Sequence, residues 1–537
     1  FSSADNPLLK TPTLDSLAKQ SVRFTRFTVS PVCAPTRASL LTGRYHLRAG
    51  VWGVTAGRET MSTSEVTLGN AFQSAGYRTA LVGKWHLGEH YPHVPHARGF
   101  DQFTGFRTGH WNRYFDPPLE RNGQPFRTKG FIADILTDQA ISFLDQKSPD
   151  PFFLYLAYNT PHSPYIVPDE YWNRFEGKIE DPELRSIYAM VENLDANIGR
   201  LLNHLDRAKL AQDTIVLFLC DNGPQSDRFN LNLRGRKGAV YEGGTRSPLW
   251  IRWPKQLEPH SVDRIAAHID LYPTLLELCK IEPPAGPPID GRSLVPLLKS
   301  QDAAATWPDR AIFSHQAGNR LAAPFPGSVR TQRWSLVNGQ ELYDLQADPS
   351  QRRDVSAAHP EIAQDLRAQY DAWFADVIKG CSFSPPRIPV GYDEENPVWL
   401  AAPRARLAGQ VKFAAGNGYA NDSLTNWTAP EDSIAWDLEV TRPGRYDVFV
   451  EYLLPLEAVS EISVNGVAAK FDRPTPMDVL NTQLRVSRNT YFERAWRRQR
   501  AVTIELPRGE ATLELKGLSR TGDRYLDLRG LHLRRLA

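Results

Sequence analysis

Short apolar runs, each followed at once by a polar, chemistry-bearing segment, constrain this chain more than any other feature. Thr79-Ala80-Leu81-Val82 runs into Gly83-Lys84-Trp85-His86-Leu87-Gly88. Pro151-Phe152-Phe153-Leu154-Tyr155-Leu156-Ala157-Tyr158 runs into Thr160-Pro161-His162-Ser163-Pro164. Thr214-Ile215-Val216-Leu217-Phe218-Leu219-Cys220 runs into Asp221-Asn222-Gly223. Continuous apolar runs of this length suit strands covered on both faces, as in a parallel sheet. Helical patterns fall between them, at 67–75 and 183–208, with another before them at 13–20, where Thr13 is a candidate cap. The segment 21–29 alternates through Val22, Phe24 and Phe27, as a strand would. Alternating strands and helices predict an α/β fold with a doubly wound sheet. In such folds the ligand sits beyond the carboxyl ends of the strands, where the polar segments fall.

At 537 residues the chain is too long for one core, so two or three domains are expected. A formal net charge of +2 gives no charge-driven reason for a nucleic-acid or membrane-surface partner. No apolar run is long enough to cross a bilayer. The four cysteines, Cys33, Cys220, Cys279 and Cys381, form no CxxC, and at most one structural disulfide is expected. The opening Phe1-Ser2-Ser3-Ala4-Asp5-Asn6 lacks the basic and apolar regions of a leader segment. Either a leader has been removed or the chain begins within a domain.

The pattern changes near Arg310. Short alternating strands are expected at 311–315, 329–337 and 341–345, then a helix over 360–377. The Pro-rich, acidic stretch 386–403 reads as a linker. From 404 to 537 the alternating segments 433–440, 445–452, 461–464, 501–506, 511–516 and 525–533 are separated by turns such as Arg442-Pro443-Gly444-Arg445. This spacing predicts a β-sandwich, which by fold-level analogy looks like a carbohydrate-binding module. The expected domains are therefore 1–309, mixed, mostly parallel α/β; 310–385, a small antiparallel α+β subdomain; and 404–537, the sandwich.

Several residues carry chemistry by type and spacing. Lys84 and His86 are two apart, so an extended loop can point both the same way. Asp221 and Asn222 at a strand end offer hard oxygen ligands, suited to Ca²⁺ or Mg²⁺ rather than zinc. His90, His93, His96 and His110 cluster after the lysine motif, but Pro92 and Pro95 rule out a helical ligand pair. They read as a loop near the substrate, with His110, Arg107 and Trp111 as candidate sugar contacts.

The run Ser30-Pro31-Val32-Cys33-Ala34-Pro35-Thr36-Arg37-Ala38-Ser39-Leu40-Leu41-Thr42-Gly43-Arg44 resembles the core motif of the type I sulfatases, arylsulfatase-like members of the alkaline phosphatase superfamily. The lysine motif, the Thr160–Pro164 motif, the Asp-Asn-Gly segment and the stretch from Leu233 to Pro248 extend the resemblance over roughly the first 345 residues. Glu341-Leu342-Tyr343-Asp344-Leu345 resembles the family's small C-terminal subdomain. The resemblance implies that Cys33 is oxidised by a formylglycine-generating enzyme or an anaerobic maturase to Cα-formylglycine, whose hydrate attacks the sulfur of a sulfate ester. It implies that Arg37 holds the hydrate, that Lys84 and Lys237 bind the sulfate, that His162 protonates the leaving oxygen with a pKa in the neutral range, and that His86 handles the proton of the second hydroxyl. Asp221, Asn222 and the residue made from Cys33 would bind Ca²⁺ or Mg²⁺. Glu242 and Arg246 would fix their loop. The family also implies export to the periplasm or the exterior.

One departure stands out. The family's opening strand, ending in paired metal-binding aspartates, is missing from the sequence, although Asn6 to Ala18 matches the segment that follows it. The expected activity is hydrolysis of sulfate monoesters on a sulfated carbohydrate. The alternatives are a phosphonate or phosphate ester hydrolase of the same superfamily, or a catalytically impaired sulfated-glycan-binding protein. Removal of residues from about 404 onward is expected to spare turnover of small aryl sulfates and to weaken action on polymers.

Overall fold

A computed structural model describes residues 5–300, 302–317, 323–476, 485 and 494–536. The first four residues of the chain's opening lie outside them. Helix α1 (Pro12–Lys19) has Pro at its first position, where a missing N–H costs nothing. Its cap is not Thr13. Asp195, far along the chain, accepts from the backbone N–H groups of Thr13 and Leu14 at 3.2 and 2.8 Å. Strand β1 (Val22–Thr28) follows, then helix α2 (Cys33–Thr42), every residue of which is buried. Gly43 ends α2 at φ 69°, and a Cβ there would lie 2.8 Å from Tyr272 Cβ. Helix α3 (Leu68–Ser74) is closed at its start by a capping box between Thr67 and Asn70. It leads into strand β2 (Arg78–Lys84) and then β3 (Gln102–Phe106).

The expected single sheet is present as two. In one, β2 runs parallel to both β3 and Phe152–Ala157, with Leu81 facing Phe103 and Tyr155 in register. A small antiparallel hairpin, Leu119–Arg121 and Gln124–Phe126, extends β3. In the other, β1 lies beside the antiparallel strand Arg246–Arg252, which in turn pairs with Val216–Leu219. Short parallel strands, Ser261–Val262 and Ala266–Ala267, flank β1. Among the described residues, Phe152–Ala157 and Val216–Leu219 thus each have a single neighbour. Their side chains stay mostly half-buried although both are apolar.

The two sheets nevertheless share their cores. On one face Phe153, Tyr155, Leu217 and Leu219 pack on a cluster that includes residues of α2, α3 and Leu271–Cys279. On the other, Phe152, Leu154, Val216 and Phe218 pack with α1, with helix α4 (Ile132–Leu144) and with the long helix Pro182–Arg207. The halves therefore form one layer between two layers of helices.

The meander Ile312–His315, Gly327–Arg330, Trp334–Val337 and Glu341–Asp344 packs with the helix Pro360–Val377. Beyond it two six-stranded sheets pack around Trp427, Trp436, Tyr446 and Tyr452 as a β-sandwich. The stretch expected as a linker belongs to that sandwich. Ile388–Val390 pairs with Ser433–Val440, and Val398–Ala401 pairs with Asp527–Arg535. Glu395, between them, binds Arg107 and the backbone N–H of Tyr91. The acidic, Pro-rich composition is that of an interface, not of a tether. The four cysteines are all free thiols.

Candidate active site

The carboxyl ends of β1, β2, Phe152–Ala157 and Val216–Leu219 deliver four polar segments toward one another. After β1, Val32 takes an extended conformation and Cys33 is the first residue of α2. The thiol therefore lies at the positive end of a ten-residue helix, where backbone N–H groups favour an anion. Cys33 is only 5% exposed. Burial alone would raise its pKa; Lys84, His86 and Lys237 overcome that and hold the thiol well below its ordinary value.

Arg37, one turn further along α2, ties the segments together. Its Nε and Nη2 donate to Asp221 Oδ2 at 3.2 and 2.9 Å, and its Nη1 donates to the Lys84 carbonyl at 2.9 Å. Thr36 adds a bond from Oγ1 to the Asp221 carbonyl at 2.7 Å. The backbone N–H of Gly238 donates to the Pro31 carbonyl at 2.8 Å, which brings the Lys237 loop to the start of α2. Burial pushes the Lys84 ammonium down, with Arg37 and Lys237 adding to the effect, to about 8. Burial would raise Asp221, but Arg37, Lys84 and Lys237 hold it at about 2.

Asp221 is thus a carboxylate at any ordinary pH, and beside it Asn222 Oδ1 is buried without a hydrogen-bond partner. A buried oxygen left without a donor fits a cation ligand. In kind, these two oxygens suit a hard divalent ion. In number they fall short of the six to eight oxygens that Ca²⁺ takes, and among the described residues no three His, Cys, Asp or Glu side chains converge on one point.

The histidines occupy the other side. His86 has φ 64°, its Nε2 lies 2.8 Å from the Val54 carbonyl, and its ring faces Cys33. His162 is fixed through its Nδ1, 2.8 Å from the Ser163 carbonyl, and Tyr114 donates to its backbone carbonyl at 2.7 Å. The His110 ring stacks on it at 5.7 Å with planes 9° apart. Burial and the charges of Lys237 and Lys84 hold His162 well below its ordinary pKa, and His110, for the same reasons, at about 3. The neutral-range value expected of His162 is therefore not a property of the ring in this cationic pocket; the negative charge of a sulfate ester between the lysines would offset part of that field. The whole is a cationic cradle with the buried Cys33 at its floor and the imidazoles of His86, His110 and His162 on its wall.

A sulfatase family profile matches residues 1–281, and a profile described as N-sulphoglucosamine sulphohydrolase, C-terminal, matches residues 236–374. The chain belongs to the sulfatase family. Relatives of this sulfatase include the uncharacterized sulfatase YdeN of Escherichia coli, 31% identical over 66% of this chain and 75% of its own. Human arylsulfatase A is 30% identical over 72% of this chain and 87% of its own. Among solved structures, Ps i-CgsB in complex with a neocarrahexaose aligns with TM-score 0.64 at 27% identity, over 71% of this chain and 90% of that one. The enzyme hydrolyses sulfuric esters, and its fold is that of the alkaline phosphatase superfamily.

Of the residues expected in the site of this sulfatase, Cys33, Arg37, Lys84, His86, His162, Lys237, His110, Asp221 and Asn222 are brought together. Arg107 is not available to a sugar. Its guanidinium is held by Glu120 at 2.8 Å, by Glu395 and by the Glu89 carbonyl at 2.7 Å, which makes it a fastener between catalytic domain and sandwich. Trp111 stacks on Phe106 at 5.3 Å. His90 and His93 are also structural: His90 is buried beside Glu395, and His93 is held by the Met61 carbonyl. Glu242 does fix its loop, paired with Arg246 at 3.6 Å and with Arg330 at 3.0 Å. Sequence reasoning missed Asn421 and Ala420, which reach His110 from the sandwich. No local signal marks them, since their partner lies some three hundred residues away.

Proposed function

We propose that this sulfatase removes the sulfate group of a sulfated saccharide, using a formylglycine hydrate made from Cys33. The observation that carries the reading is the placement of Cys33: at the N-terminus of α2, buried, with Lys84, Lys237 and His86 around it and Arg37 behind it. The aldehyde hydrate supplies one hydroxyl to attack sulfur and a second through which sulfate is later expelled. The chain's own residues do the rest. Lys84 and Lys237 hold the sulfate oxygens and neutralise charge that grows on them in the transition state. His162 stands on the leaving-group side and delivers a proton to the departing alcohol oxygen. His86, anchored by the Val54 carbonyl, accepts the proton of the second hydroxyl. Asp221 and Asn222 are the residues that would hold Ca²⁺, or Mg²⁺, and such an ion supplies positive charge beside the nucleophile.

The saccharide class is supported by the relatives' names: N-acetylgalactosamine-6-O-sulfatase of Bacteroides thetaiotaomicron, 29% identical over 67% of this chain and 87% of its own, and the neocarrahexaose complex. A formylglycine-generating enzyme or anaerobic maturase is the partner this chemistry requires. Export, as in the family, would give access to polymeric glycans.

The test is the mass of the tryptic peptide from Phe27 to Arg37, taken from protein co-expressed with a formylglycine-generating enzyme. The expected mass is that of the aldehyde in place of the thiol. An unmodified peptide, with a control sulfatase converted in parallel, would overturn the assignment. Cys33→Ala is expected to abolish turnover of aryl sulfates, a loss of at least about 10³-fold, while its melting temperature stays near that of the parent; residual activity near the parent's would refute the nucleophile.

A further inference from the structure

The sandwich sends one loop, residues 415–422, into the catalytic domain. The loop is held in a fixed shape by Asp422, whose carboxylate accepts from the backbone N–H groups of Ala415, Gly418 and Ser423 at 3.0, 3.0 and 2.8 Å. Gly416, Gly418 and Asn421 take positive φ values of 82°, 61° and 67°. It ends against His110, whose ring stacks on His162, and against Thr55, the neighbour of the residue that anchors His86. Asn421 Nδ2 donates to the His110 carbonyl at 2.8 Å, an oxygen that also accepts from Thr108 Oγ1 at 2.8 Å. The backbone of Ala420 hydrogen-bonds the His110 ring. That ring is the one stacked flat on His162. On the other side, Thr55 Oγ1 donates to the Gly418 carbonyl at 3.1 Å, and the residue before Thr55 supplies the carbonyl that anchors His86. Thr55, His110, Ala420 and Asp422 are all buried.

We propose that the 415–422 loop is part of the catalytic site, and that Asn421 is a positioning residue that sets the angle of His162 through His110. The inference rests on the reading of His162 as the acid that protonates the leaving oxygen, and it deepens that reading. An acid delivers its proton only when its nitrogen lies within hydrogen-bond reach of the departing oxygen. His162 has its Nδ1 committed to the Ser163 carbonyl, so the other ring nitrogen must do the work, and the stacked His110 ring sets its tilt. The sandwich therefore acts on chemistry and not solely on glycan capture.

The experiment uses the full, matured enzyme and a series of aryl sulfates running from 4-nitrophenyl sulfate to phenyl sulfate. Nitrophenolate departs with little help; phenolate needs its proton. Asn421→Gly keeps the left-handed backbone accessible and removes the donor; Asn421→Asp keeps the shape and turns the donor into an acceptor. Both are expected to lower kcat on phenyl sulfate about tenfold and on 4-nitrophenyl sulfate less than about twofold, a part of the 10²- to 10⁴-fold that acid catalysis supplies, with KM little changed. Equal loss on all members of the series, or no loss on any, would overturn the positioning role. His162→Ala is measured beside them. It should show the same steepening in larger measure; a series that stays flat in His162→Ala would instead overturn the acid reading beneath it.

Discussion

His86 has almost no room to move. A Cβ on Gly109 would lie 2.4 Å from its Nε2, and the same nitrogen already meets the Val54 carbonyl at 2.8 Å. Gly109→Ala is therefore expected to displace the ring and lower kcat about 10- to 100-fold, with a melting temperature within a few degrees of the parent; parental kcat would show that the ring position is not critical. At this scale the sequence was legible wherever the chemistry is local. Lys84 and His86, Asp221 and Asn222, and Cys33 and Arg37 each sit in one short segment following a strand, so the resemblance of those segments to sulfatase motifs picked them out as candidates. Arg107 was misread for a physical reason: an arginine near a site looks like a sugar contact until Glu120 and Glu395 are seen to claim it. Asn421 was invisible because nothing in Gly418-Tyr419-Ala420-Asn421 says which surface it will meet.

Elements were readable when their own pattern decided them, and misread when a distant element did. Pro360–Val377 and the strand Ser433–Val440 fall where the periodicity put them. The stretch 386–403 lacks a pattern of its own, and its two short strands exist only because Ser433–Val440 and Asp527–Arg535 offer open edges to them. Its acidic residues serve a seam in which Glu59, Glu89 and Glu395 gather around Arg107 and Arg404. Burial, with Glu59 and Glu395 adding to it, pushes Glu89 up to about 7 against an ordinary 4.5. A carboxyl raised in the folded state contributes stability that is whole below the unfolded value and is lost as pH rises through about 7. Glu89→Gln should therefore melt about 2 °C above the parent at pH 8 and close to it at pH 4.5. Calorimetric melts at the two pH values check this, and a shift of equal size at both would contradict it.

On the scale of the whole molecule, sandwich and catalytic domain are one working unit. Arg107 with Glu395, Tyr91 with Tyr392, and His110 with Asn421 cross the boundary. A chain ending at 385 is accordingly expected to lose turnover of phenyl sulfate as well as of polymers, by about 10²-fold; parental rates on phenyl sulfate from the shortened enzyme would restore the simpler picture of a detachable binding module. The change of periodicity along the chain was legible in the sequence, because it is local. The sequence could not convey that sandwich and catalytic domain share a catalytic wall.

The burial of α2 has a consequence for the life history of each molecule. If Cys33 is matured as proposed, a thiol only 5% exposed in a helix buried throughout has to be reached by the second enzyme before the chain closes over it. Maturation and folding are then competitors on a clock, and each polypeptide passes that junction once. A copy that folds first is a well-formed protein with permanently idle chemistry, and the active fraction of a preparation records the outcome of that race rather than anything done to the protein afterward.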